Sequence, residues 1–89
     1  RSHLADLFTR ASTSIVLTIA EGAGKRSKGD KRRYYLTARG SATESAALLD
    51  VCWRLELLDE AGQKAGKSML VRVVAMLIKL AQACEEAAC

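Results

Sequence analysis

The sequence predicts an all-α protein, a single helical-bundle domain over residues 1–89, and three observations carry that expectation. The 89 residues include no proline, while the strong helix formers Ala, Leu, Lys, Arg and Glu are abundant. Apolar residues recur at three- and four-residue steps in three separate segments, the spacing of one face of an α-helix. One Phe, one Trp and two Tyr leave a core that must be aliphatic. An apolar share of 49% beside 27% charged residues excludes a disordered tail. A chain this short buries a modest core, so a partner or self-assembly is expected.

The first helix is expected over about 3–21. Leu4, Leu7, Phe8, Ala11, Ile15 and Ile19 fall on one face, Ser2 offers an N-cap and Asp6 suits the first turn. Ile15, Val16 and Leu17 are consecutive, so the last turns are apolar nearly all round and need cover on more than one side. Gly22 and Gly24 are expected to stop the helix.

Residues 22–27 read as a loop, and Ser27 with Asp30 forms a capping pattern for a second helix over about 28–57. Tyr34, Ala38, Ser41, Ala42, Ser45, Leu48, Leu49, Cys52 and Leu55 share about half its circumference. Small residues crowd its middle, which lets a neighbouring helix come close. Asp59 is a good N-cap for a third helix over about 60–83. Its stripe is Ala65, Met69, Val73, Met76, Leu77, Leu80 and Cys84, widened by Leu70, Val74 and Ala81, with fraying expected in the Ala-rich C-terminus. Gly62 and Gly66 weaken its opening turns. Three helices with faces this broad do not easily cover one another, so a fourth is expected, either missing from this chain or supplied by a neighbour.

The chemistry-bearing residues are sparse. His3 is the one histidine, with no nucleophile motif around it. The acid pairs Asp59/Glu60 and Glu85/Glu86 sit at helix ends, and the paired Glu-x-x-His spacing of di-iron sites is absent. Cys52, Cys84 and Cys89 are an odd set without metal-ligand spacing. No catalytic residue, metal or cofactor is therefore expected, and the protein reads as a non-enzyme. Nothing resembles a signal peptide, and the most apolar stretch, Met69 to Leu80, is broken by Arg72 and Lys79, so no membrane span and a cytoplasmic location are expected.

Charge is the informative feature. The chain carries +4, yet residues 25–33 (KRSKGDKRR) hold six of the fourteen basic residues and one of the ten acids, a net +5 on a near-neutral body. Such a patch attracts phosphates, anionic membranes or acidic partners. Lys28, Arg32 and Arg39 lie within about 40° on the helical wheel, with Tyr35 about 20° beyond. That arrangement suits phosphate contact with occasional base stacking, against the plainer reading of a solvated helix face. The GAGKRSK loop lacks the spacing and preceding strand of a nucleotide loop, but the start of the second helix offers backbone N–H groups to a phosphate. Glu21 and Arg39 are a candidate structural ion pair across the loop.

Two linked motifs then stand out: Ser14-Ile15 through Ile19-Ala20-Glu21-Gly22 with Gly24-Lys25-Arg26-Ser27-Lys28, and Ala38-Arg39-Gly40-Ser41 with Glu44. In order and separation they resemble the bacterial four-helix bundle protein family, encoded in the intervening sequence of 23S ribosomal RNA genes, over roughly Leu4 to Gln82. The family's Pro, Ser and Asn before IAEG are Val16, Leu17 and Thr18 here, which makes the first helix more continuous. Its apolar pair before the aromatic step is Lys31 and Arg32, which makes the second helix start more basic.

The resemblance implies an up-and-down four-helix bundle whose first helix is missing from this chain. It also implies a ring of copies, typically a homopentamer, and no known enzymatic activity. A related accessory protein of diversity-generating retroelements binds nucleic acid and a reverse transcriptase, which adds both as partners by analogy. By motif position, Glu21, Gly22, Arg39, Gly40, Ser41 and Glu44 are signature residues, expected to be structural or interfacial. The sequence thus points to an oligomeric bundle binding RNA or DNA through Lys25, Arg26, Lys28, Lys31, Arg32, Arg33 and Arg39. The alternative is a self-assembling scaffold or protein-interaction module whose patch meets acids of a neighbouring copy.

Overall fold

The computed structural model describes the backbone of residues 2–88 and the side chains of 3–85. Three antiparallel helices fill it: α1 (Ser2–Ala23), α2 (Lys28–Arg54) and α3 (Glu60–Ala88). The whole measures 48 × 21 × 13 Å. It is an all-α bundle, as the periodicity predicts. The proposed Ser2 cap falls on a side chain outside those described, as does Cys89.

The helix α2 is the central element. It packs against α1 on one side and α3 on the other, whereas no α-carbon pair of α1 and α3 comes within 8 Å among the described residues. Between the two seams lie its buried residues, Tyr35, Ala38, Ala42, Ser45 and Leu49, at steps of three and four. Ala38, Ala42 and Ser45 are wholly inaccessible, which is how small side chains let two helices close on a third. The buried Ser45 hydroxyl donates to the Ser41 carbonyl at 2.9 Å, so no bare polar group is left. On α3 the inward residues are Leu77, Ala81 and Cys84, joined to Tyr35 and Ala38 in one cluster. Met69 and Met76, expected on that stripe, are instead 67% and 58% exposed. A helix touching a single partner buries a narrow seam, and the rest of its apolar face stays open.

That open face forms a groove. Phe8, Ile15 and Val16 of α1, Leu49 of α2, and Gly66, Met69, Leu70 and Val73 of α3 line a cavity of about 250 Å³. The described residues supply three helices, and this groove between them is left open.

The helix ends differ from expectation in three places. α1 does not stop at Gly22, which is buried inside the helix and seated against α2; the turn comes at Gly24, whose N–H meets the carbonyls of Ala20 and Glu21. α2 ends at Arg54 rather than near residue 57. Leu57 N–H donates to the Cys52 carbonyl and Glu56 N–H to that of Trp53, a Schellman closure with Glu56 at φ 63° where glycine is usual. α3 begins on the Asp59 cap, whose carboxylate accepts the Gly62 N–H at 2.7 Å, but it continues to Ala88 because Ala81 and Cys84 carry the seam past residue 83. Gly66 has a packing role: a Cβ there would lie 2.6 Å from a Leu49 methyl.

Candidate nucleic-acid interface

The basic segment occupies one end of the rod, where α1 turns into α2 and α3 finishes. Ser27 is the N-cap of α2, with extended backbone, and its hydroxyl accepts the Asp30 N–H at 3.0 Å. The capping pattern is therefore real on its first arm. Asp30 also places its negative charge in the first turn. One of the backbone N–H groups expected to meet a phosphate, that of Asp30, is therefore taken by the Ser27 hydroxyl, and the Asp30 carboxylate stands beside the others.

The basic side chains are held in different ways. Lys31 donates to the Ala23 carbonyl at 2.8 Å, so its ammonium closes the C-terminus of α1. The Lys25 ammonium lies 5.0 Å from the Tyr34 ring centre and the Arg33 guanidinium 5.6 Å. Such cation–π contacts are worth about 0.5–1 kcal/mol at exposed sites. Arg33 also reaches Asp30 at 3.3 Å. Arg32 pairs with Glu85 of α3 at 3.5 Å, with both side chains well exposed. Arg26, Lys28 and Arg39 are exposed and have no ion pair or side-chain hydrogen bond among the described residues.

The aromatic assignment needs correction. Tyr35, expected to border the basic stripe, is 7% exposed in the core, and Tyr34, expected in the core, stands among the cations. The reason is that α2 packs on two sides. Its buried sector centres between the seams, closer to Tyr35, and leaves Tyr34 over α1. Tyr34 is braced by cations and by Gly22, whose added Cβ would lie 2.8 Å from the Tyr34 Cβ.

The signature residues divide. Gly22 is buried, and Ser41 shares a 3.0 Å hydroxyl hydrogen bond with Ser14 across the α1–α2 seam. Glu21, Arg39, Gly40 and Glu44 are exposed, and nothing lies within 4 Å of a Cβ built at Gly40. The suggested Glu21–Arg39 pair does not form: Glu21 lines the outer face of α1 with Arg10 and Thr18. The sequence reading missed the brace at the far end, where Asp50 accepts from Lys67 at 2.9 Å and from Gln63 at 2.9 Å. The Lys67 and Gln63 hydrogen bonds hold the Asp50 carboxyl below its ordinary value of 3.8. Only the spacing of acid and base on facing helices could have signalled it.

Among the described residues no cluster of His, Cys, Asp or Glu is placed to hold a metal ion, and no helix is long and apolar enough to cross a membrane. Cys52 and Cys84 are free thiols. The class is thus a small all-α bundle with a basic end and an apolar groove along its length.

Comparison with known proteins narrows this. Residues 1–79 match the family described as the 23S rRNA-intervening sequence protein, and the chain belongs to that family. No curated protein and no solved structure matches it.

Proposed function

We propose that this chain is a non-enzymatic, oligomeric helical-bundle protein of the cytoplasm that binds RNA or DNA phosphates through its basic end. The observation that carries the reading is a net +5 concentrated in residues 25–33 on a body that is otherwise near neutral. Arg26, Lys28 and Arg39 stand ready for solvent-borne anions, while Lys25, Lys31, Arg32 and Arg33 are anchored around them. Contacts of this kind position a backbone and carry no base readout. With Tyr35 buried and Tyr34 engaged by cations, stacking plays no part, so binding is independent of sequence.

Fluorescence anisotropy with labelled RNA and DNA at low salt tests this. The chain binds both, and a triple substitution of Arg26, Lys28 and Arg39 to Gln abolishes binding with the fold intact. No binding by the unaltered chain overturns the proposal.

The groove supports the second element, assembly. Val16 and Met69, which line it, are each 67% exposed. Clustered exposed apolar side chains of this kind mark an interaction surface. Copies of the chain are the proposed cover, and a pentamer is the ring that the family resemblance favours. Light scattering reads the mass directly. If a ring persists while every basic residue is closed to acetylation, the patch instead pairs with neighbouring acids and the protein is a scaffold.

A further inference from the structure

We propose that Glu85 is a counter-ion built into the basic end, competing with nucleic-acid phosphates for Arg32 and so setting how many cations the patch presents. The inference rests on the phosphate-binding reading above. Three observations support it.

Glu85 Oε2 lies 3.5 Å from Arg32 Nε, so a carboxylate already occupies one of the stripe's three cations, Lys28, Arg32 and Arg39. A carboxylate and a phosphate are the same kind of acceptor for a guanidinium, so Glu85 competes with a phosphate oxygen for the Nε side of Arg32. The position of Glu85 is also unfavourable with respect to the dipole of its own helix. It stands in the closing turns of α3, which ends at Ala88 with no basic residue in the last turn. A negative charge there opposes the helix dipole, and the opposing cation comes from α2. Finally, the pair is held in register. Cys84, the preceding residue, is 6% exposed and packed in the cluster with Tyr35 and Ala38, so α3 carries Glu85 to the patch whenever the bundle is folded.

Both partners are substantially exposed, so the pair is screened and exchangeable. It does not block the patch. It lowers affinity for weakly charged ligands and yields to a dense phosphate backbone, which discriminates against single phosphates and short oligonucleotides.

The test is anisotropy of the 89-residue chain with one short fluorescein-labelled RNA duplex, across a salt series. Glu85→Gln tightens binding about two- to fivefold at low salt and steepens the slope of log affinity on log salt by up to about 0.9, the increment for one more phosphate contact. The gain vanishes when Arg32 is also Gln, so the double variant binds like Arg32→Gln alone. Glu60→Gln, which removes the same charge at the far end of the rod, leaves binding unchanged. Helicity by circular dichroism, equal in all variants, shows that α3 stays formed. Unchanged affinity for Glu85→Gln, an equal gain for Glu60→Gln, or a gain that survives loss of Arg32 each overturns the proposal. Absence of binding by every form overturns the phosphate reading itself, an outcome distinct from these three.

Discussion

Replacing Gly22 by alanine places a methyl group where α1 is seated against α2. The added Cβ would lie 2.8 Å from the Tyr34 Cβ and 3.2 Å from Cε1 of Tyr35. Ordinary carbon contacts are about 3.5–4.0 Å, so the shortfall at Tyr34 is close to 1 Å. The Tyr34 Cβ is fixed to the backbone and cannot swing away, so the helices must part. Overpacking of this kind costs about 1–3 kcal/mol. Against it, alanine gains about 1 kcal/mol over glycine in a helix interior. The net is a loss of up to about 2 kcal/mol, and each kcal/mol lowers the melting midpoint of a domain this size by about 4–8 °C.

Gly40→Ala is the paired measurement. Nothing lies within 4 Å of a Cβ there, so only the propensity gain acts and the midpoint rises. Thermal melts followed by circular dichroism read both variants. A Gly22→Ala chain that melts above the unaltered one by the same increment as Gly40→Ala would refute the close helix contact and the reasoning from it.

Two further perturbations have definite signs. Glu56 holds φ 63° at the end of α2, so Glu56→Gly relieves left-handed strain and raises stability by about 1 kcal/mol in urea titrations; a loss would mean the glutamate side chain contributes more than its backbone costs. Asp50 has its carboxyl lowered from 3.8 by Lys67 and Gln63, so its stabilising contribution is complete above that value and fades as pH falls through the lower folded value. Asp50→Asn therefore lowers stability at neutral pH and flattens the acid limb of the stability–pH curve, whereas parallel curves would contradict the assignment.

Much of the fold is legible in the sequence because an amphipathic helix advertises its period. Asp59 and Ser27 mark two helix starts through side-chain oxygens, and both cap as expected. The stops were harder. Glu56 closes α2 without the glycine that usually signals a Schellman turn, and Gly22 signals a close helix contact in the guise of a stop. Helical wheels also fail where one helix serves two partners. The two adjacent tyrosines exchange roles because α2 turns its buried sector between α1 and α3, and no periodicity in α2 alone records where those neighbours sit.

The basic segment was visible as a charge count, but its division was not. Which cations are spent on a carbonyl, a ring or a carboxylate depends on the loop bringing Ala23 beside Lys31 and on α3 bringing Glu85 beside Arg32. The Glu21–Arg39 pairing fails for the converse reason: Glu21 lines the outer face of α1 with Arg10 and Thr18, and Arg39 is not among its neighbours there.

The salt dependence of nucleic-acid binding tests the central claim most directly. Arg26, Lys28 and Arg39, the three cations of the basic end without an internal partner among the described residues, predict that log affinity for a duplex falls against log salt with a slope of about −3, the same for unrelated sequences. Affinity that stays flat between about 50 and 200 mM salt, or that depends on base sequence, would contradict a patch that works through phosphates alone.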